Sequence, residues 1–189
     1  MKMTYSCVFV LGICGLLGAC VEPPPQEVLE TKDMSHFLDI DSLINSNIIG
    51  QNGRKLRKHV GLSGSNEEQF FISDTTLLQN DLEIFKDLPL NAPTLKEQYT
   101  ITKEGTDTNY LRITGAGPQW MKISRTLQFA SISAIRGEHS ESNLFFDSNK
   151  KYHLQFDGDQ KISSYEFSGY QKILFMDSVF FKIAAKFEP

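Results

Sequence analysis

The sequence predicts an α+β fold: two N-terminal helices packed on a curved, mostly antiparallel meander of about seven to nine strands. Three observations carry that expectation. Apolar residues recur at three- and four-residue steps near positions 40 and 80, which is helical spacing. From position 97 onward the period changes to two. The gaps between the alternating runs are too short for parallel crossovers, which need a dozen or more residues, so neighbouring strands must be antiparallel.

In chain order, Ser35 is placed to cap a first helix that runs to about Ile49, with Gly50 ending it. Phe37, Ile40, Ile44 and Ile48 share one face of that helix. Lys55–Leu62 reads as a strand, residues 61–66 as a loop and residues 70–72 as a shorter strand. A second helix is capped by Ser73 or Asp74 and carries the stripe Leu78, Leu82 and Phe85. Leu77, Ile84 and Leu88 widen the stripe, as expected for a helix lying against a sheet, and Pro89 stops the helix.

In the strand-rich half, Tyr99 and Ile101 alternate, residues 104–107 turn the chain, and Leu111 and Ile113 alternate again. After Gly115-Ala116-Gly117-Pro118, the positions Met121, Ile123, Leu127 and Phe129 fall on one face. Residues 132–136 continue that strand or begin another, 138–142 read as a polar loop, and 143–147 as a further strand. Tyr152, Leu154 and Phe156 alternate up to Asp157-Gly158, a favoured hairpin-turn pair. Residues 162–167 and 170–175 follow, with Gly169 expected at a bulge or bend. Last come Val179, Phe181, Ile183, Ala185 and Phe187, all facing one way. A small transmembrane barrel is the alternative at this length, but the two helices and the ending Phe187-Glu188-Pro189 count against it.

The first twenty residues have a different character. Lys2 is followed by an uncharged apolar stretch from Tyr5 to Ala19. That is the layout of a secretory leader, and it is shorter than the roughly 20 residues a membrane span requires. Leu17-Gly18-Ala19-Cys20 resembles the lipobox of bacterial lipoproteins, in which an aliphatic and two small residues precede a cysteine. The resemblance implies that residues 1–19 are removed and that Cys20 carries a diacylglyceryl thioether and an acylated amine. Several acyl chains, at about 0.8 kcal/mol per buried CH₂, make such an anchor effectively permanent. Cys7 and Cys14 leave with the leader and Cys20 is consumed by lipid, so the mature chain has no thiol for a disulfide, a metal or a nucleophile.

Residues 20–34 then form a Pro-rich tether. Pro23-Pro24-Pro25 and the acids Glu22, Glu27 and Glu30 favour an extended polyproline backbone at about 3.1 Å per residue. Residues 35–189 are long enough for a single domain. The net charge of −4 gives no electrostatic footprint for nucleic acid. The basic run Arg54-Lys55-Leu56-Arg57-Lys58 reads as a solvated strand face.

Motifs for chemistry are sparse. His36, His59, His139 and His153 have no paired helical spacing and no HExxH arrangement. Glu138-His139-Ser140-Glu141 reads as a solvated loop rather than a metal site. Gly61-Leu62-Ser63-Gly64-Ser65 departs from a nucleophile elbow by placing its second glycine one position early. Asp157-Gly158-Asp159 lacks the length and ligands of a calcium loop. Asp39 and Asp41 are two apart on a helix and face different ways. No catalytic, metal or cofactor-binding residue is therefore assigned, and the chain is expected not to be an enzyme.

The 14 Phe and 6 Tyr suit an ordinary core, or a sheet that curls around an apolar cavity. The second arrangement is similar to that of lipoprotein-sorting factors. The order of elements also resembles small single-domain lipoproteins of Gram-negative envelopes. The lipobox, Phe37-Leu38-Asp39-Ile40, the helix carrying Leu78 and Phe85, and Ser168-Gly169-Tyr170-Gln171-Lys172-Ile173 carry that likeness. It implies a lipid-anchored component of the cell envelope. Val21 in place of the Asp that retains many lipoproteins at the inner membrane implies the outer membrane. A non-enzymatic interaction with another envelope protein is the first expectation. A carrier of a lipid or other apolar ligand between sheet and helices is the second, and an envelope hydrolase the third.

Overall fold

The computed structural model describes residues 28–29, 38–86, 88, 98–114, 117–126 and 131–188. In chain order the elements are β1 (Val28–Leu29), α1 (Ile40–Gly50), β2 (Lys55–Leu62), β3 (Ser65–Ile72), α2 (Thr75–Lys86), β4 (Thr100–Glu104), β5 (Asp107–Thr114), β6 (Gly117–Arg125), β7 (Ile132–Ser142), β8 (Phe146–Phe156), β9 (Ile162–Ile173) and β10 (Val179–Phe187). All the strands join one sheet in the order β1-β4-β5-β6-β7-β8-β9-β10-β2-β3, and every pairing is antiparallel. The fold is therefore α+β, with two helices and nine strands of five or more residues among the described residues.

The strands β4 to β10 form a simple meander. The early hairpin β2–β3 then adds to the outer side of β10, so the first long strand pairs with the last. Of residues 20–34, where a tether is expected, only 28 and 29 are described. Val28 and Leu29 pair with Thr102 and Ile101 of β4.

The first helix begins later than the Ser35 cap predicts. Asp39 is its N-cap, accepting from the Ser42 backbone N–H at 3.1 Å; Ser35 and Phe37 lie outside the described residues. Ile40, Ile44 and Ile48 are buried at four-residue steps, as their spacing requires. Asn47, on the same side, bonds the start of β9. Its Nδ2 donates to the Gln160 carbonyl at 3.3 Å, and its Oδ1 accepts from the Ile162 N–H at 2.7 Å. Gln51 Nε2 donates to the Ile162 carbonyl at 2.6 Å.

In the second helix, Asp74 rather than Ser73 is the cap, with its Oδ1 accepting from the Leu77 N–H at 2.7 Å. Ser73 instead ties the end of α1 to the start of β2. Its hydroxyl donates to the Gln51 carbonyl at 2.6 Å and accepts from the Arg54 N–H at 3.0 Å. Leu78, Leu82 and Phe85 are buried, with Leu88 beyond them. The Phe85 ring meets Tyr152 and Tyr165 edge-on, at centroid distances of 6.0 and 6.3 Å.

Four strand boundaries differ from the expectation. Residues 61–66 are not a loop: Ser63 and Gly64, at φ 44° and 100°, form a two-residue turn, and β3 runs from Ser65. Its polar start hides the strand. Residues 138–142 are likewise strand, the second half of β7, and the turn falls at 143–145 instead. Gly169 sits in no bulge. It pairs with Lys150 and Phe181 inside a continuous β9, and a side chain there would collide with the Asn149 carbonyl oxygen. β6 ends at Arg125, and Leu127 and Phe129, expected on its apolar face, lie outside the described residues.

The basic run near residue 55 is not uniformly solvated either. Alternation turns Lys58 to the core face, where its Nζ meets both oxygens of Asp81 at 2.6 and 2.7 Å. Tyr165 Oη donates to the same carboxylate at 2.6 Å. One carboxylate thus joins β2, α2 and β9. Lys58 and Asp81 have side chains only 12% and 9% exposed, so removing either strands the other's charge away from water. Burial first, and then the Asp81 charge, push the Tyr165 phenol well above its ordinary value.

In urea-unfolding measurements, Asp81→Ala lowers the unfolding free energy by about 3–5 kcal/mol, and the triple change Lys58→Met, Asp81→Leu, Tyr165→Phe recovers most of that loss. Because the folded Tyr165 holds its proton past the ordinary value of 10.0, the stability it contributes is full below that pH and is lost above it as the unfolded chain ionises. Tyr165→Phe therefore loses less stability than the parent protein between pH 10 and pH 11.

Candidate functional site

The sheet's core face changes chemistry along its strands. Tyr110, Met121, Gly137 and Tyr152 lie in register across β5 to β8, and the three side-chain-bearing members are buried. Leu88 covers the row, since a Cβ on Gly137 would come within 3.1 Å of Leu88 Cδ2. Two residues further along each strand, the same parity gives Arg112, Gln119, His139 and Lys150, again in register. One step beyond, Glu141 pairs with Ser148. A polar row therefore occupies the face that is otherwise core.

Parts of this row are withdrawn from water without being internally satisfied. Gln119 is 5% and Ser148 2% exposed. Gln119 Oε1, Ser148 Oγ, His139 Nδ1, and Nε and Nη1 of Arg112 are all buried with no hydrogen-bond partner in the protein. His139 does engage Glu141, Nε2 to Oε1 at 2.9 Å, and this bond holds the Glu141 carboxyl below its usual range. Arg112 places its guanidinium carbon 5.8 Å from the centre of the Tyr99 ring. Burial pushes the Tyr99 phenol up, and the Arg112 charge opposes it.

Above the polar row, three hairpin tips end together. The tip between β9 and β10 donates from the Leu174 N–H to the Phe145 carbonyl at 2.9 Å, and the β2–β3 tip donates from the Ser63 N–H to the Phe180 carbonyl at 2.8 Å. Leu144, Phe145, Leu174, Phe175, Met176 and Leu62 stand exposed on these tips. Phe175 is 97% exposed and sits at φ 66°, a backbone region that costs a non-glycine residue about 1–2 kcal/mol. The backbone around these side chains is largely satisfied internally: Met176 N–H donates to the Ile173 carbonyl at 2.9 Å, and Phe145 and Phe146 N–H both donate to Asn143 Oδ1. An apolar rim with a self-contained backbone suits a dry contact.

The opposite face of the sheet is ionic. Lys122 pairs with Asp107, Lys182 with Glu166 at 3.0 Å, and Arg136 Nε donates to His153 Nε2 at 3.2 Å. Burial first, and then Arg136, lower the His153 pKa. Glu138 accepts from Trp120 Nε1 at 3.0 Å and from Asn149 Nδ2 at 2.6 Å. These groups satisfy one another.

The residues singled out from sequence scatter over this frame. Cys20 and His36 lie outside the described residues. His59 sits on β2 beside Glu68 at 3.4 Å, and His139 and His153 are on β7 and β8. Ser63 belongs to the β2–β3 turn. Asp157 Oδ1 accepts from the Asp159 and Lys161 N–H groups and shapes a turn. Asp39 caps α1, and Asp41 lies in its first turn. No group of three or more His, Cys, Asp or Glu able to hold a metal occurs among the described residues. No helix among the described residues is long and apolar enough to cross a membrane.

Two features escape a reading of the sequence by pattern. The rim is signalled there only by Ile173-Leu174-Phe175-Met176, an apolar run that breaks strand alternation just before a turn. The polar row is signalled by Arg112, Gln119, His139 and Ser148 standing on the parity of buried aromatics. No protein-family model, curated protein or solved structure matches this chain.

Because Phe175 is strained and touches mainly solvent, Phe175→Gly is expected to raise the unfolding free energy by about 0.5–1 kcal/mol in chemical denaturation. A loss of stability would mean that the ring packs within the domain.

Proposed function

We propose that this protein is a lipid-anchored component of the bacterial cell envelope. In this reading it is held in the outer membrane through acylated Cys20, and binds a second envelope protein through its hairpin-tip rim without catalysing a reaction. The leader and Leu17-Gly18-Ala19-Cys20 support the anchor. The observation that carries the binding role is the rim itself. Six large apolar side chains are exposed on three adjoining tips, with a fully exposed Phe175 held at a backbone angle that folding alone does not favour.

The surroundings favour a protein over a bilayer as the occupant. Lys172, Asp147 and Asp177 beside the tips are of mixed sign, without the basic belt that draws a domain to anionic lipid. Phe and Met are residues enriched where proteins meet. In the same reading, the two helices lie along one face of a curved meander and fill it, so the free tips are left as the docking end.

A carrier of a lipid or other apolar ligand is the second reading. It is favoured by the unpartnered polar atoms on the core face just below an apolar mouth.

Two measurements test the first reading. Labelled palmitate should enter the parent protein and not Cys20→Ser; equal labelling of both would remove the anchor. A photo-cross-linking residue at position 175, in living cells, should give one discrete protein adduct that the same residue at Lys161 does not give. Adducts to lipid alone, or none, would overturn the docking role.

A further inference from the structure

We propose that Arg112, Gln119, His139 and Ser148 form a binding site for a small polyhydroxylated oxyanion, a carboxylate or phosphate carrying neighbouring hydroxyls. Such a site is independent of the rim's partner and of the lipid anchor.

A guanidinium stays protonated at any pH the fold survives, so the partly buried Arg112 cannot relieve its withdrawn donors by becoming neutral. Its Nε and Nη1 hydrogens are withdrawn from water and meet no acceptor. The carboxylate nearest in the row, Glu141, is engaged by His139 at 2.9 Å. Buried donors on a cation, left unmade, are among the costliest groups a fold can carry, and an oxyanion supplies what they lack. By contrast, Lys58, also on the core face, is paired with both carboxylate oxygens of Asp81.

The remaining atoms narrow the ligand. Gln119 Oε1 is an acceptor. His139 Nε2 faces a carboxylate and so carries the proton in the neutral ring, which leaves Nδ1 as an acceptor too. Ser148 Oγ serves in either sense. An anion alone would satisfy Arg112 and leave two acceptors facing it. A ligand that also presents hydroxyl hydrogens satisfies all of them.

Size follows from the register. Arg112 and Gln119 are directly opposed, as are Gln119 and His139, and Ser148 lies one strand further on. Three strand spacings of about 4.8 Å give a site some 14 Å across, narrowed by the reach of the Arg112 side chain. That span exceeds a bare phosphate and leaves room for an anion that carries a hydroxylated body. Tyr99, under the guanidinium, adds an aromatic wall of the kind that sugars and headgroups stack on.

The two sources of this chemistry, a free sugar acid or phosphate and a lipid headgroup, are separated by the choice of probe. The protein as purified from cells, in non-ionic detergent, is titrated calorimetrically with glucuronate, glycerol 3-phosphate, dihexanoylphosphatidylglycerol and uncharged glucose. Saturable binding of one of the three anions at one site per chain is expected, with none for glucose. Glucuronate or glycerol 3-phosphate as the binder identifies a soluble ligand, and the phospholipid a headgroup. Arg112→Met should weaken that binding by roughly tenfold to a hundredfold, and Gln119→Leu less. Without ligand, Arg112→Met should melt no lower than the parent protein, because it removes two buried donors that meet no acceptor. Failure of all three anions to bind, unchanged binding by Arg112→Met, or a clear drop in its melting temperature overturns the assignment.

Discussion

The carboxylate of Asp81 fixes the relation of three elements that the chain's order would otherwise leave loosely related. Lys58 approaches it from β2, Tyr165 from β9, and Asp81 itself rides on α2. The connection through α2 must carry the chain from β3, at one end of the strand order, to β4 near the other. A helix in that position needs a fixed seat, and a charge that must be paired supplies direction where greasy contacts alone are permissive. The apolar stripe of Leu78, Leu82 and Phe85 provides the bulk of the burial; the ionic node sets where along the sheet it falls. Asn47 and Gln51 play the matching part for α1, reading the backbone of β9 at Gln160 and Ile162.

Much of this fold is legible from spacing. Alternation places Lys55–Leu62 to the residue, helical steps identify both apolar stripes, and the change of period near residue 97 marks the start of the meander. What escapes has a common cause. The start of β3 and the end of β7 are made of Ser, Asn, Glu, His and Gln, and polar strands carry no alternation to read. Asp39 outranks Ser35 as a cap because the apolar pattern extends back to residue 37, which hides where hydrogen bonding begins. Gly169 looks like a bend because composition cannot distinguish a flexible glycine from one required by a close approach. The candidate site is legible only as anomaly: apolar residues where a turn belongs, and polar residues where a core belongs.

The two faces of the sheet divide labour accordingly. On one, cross-strand ions and the Trp120–Glu138–Asn149 contacts satisfy each other and need no visitor. On the other, Phe85 of α2 packs against Tyr152 and Tyr165 in the lower part. Arg112, Gln119, His139 and Ser148 occupy the upper part with hydrogen-bonding capacity unspent. The free apolar tips crown that same end. Packed aromatic contacts and unpartnered polar atoms are thus separated along the strands rather than mixed at each position.

The strand order also has a loose end. β3 closes one side of the sheet, and its outward backbone groups are a template onto which another chain's strand can zip. Ser65, Asn66, Glu67, Glu68 and Gln69 make up most of that margin. Two adjacent acids in the stretch confront their own likes in a copy paired in register against it, so the polarity that conceals this strand also disfavours that pairing.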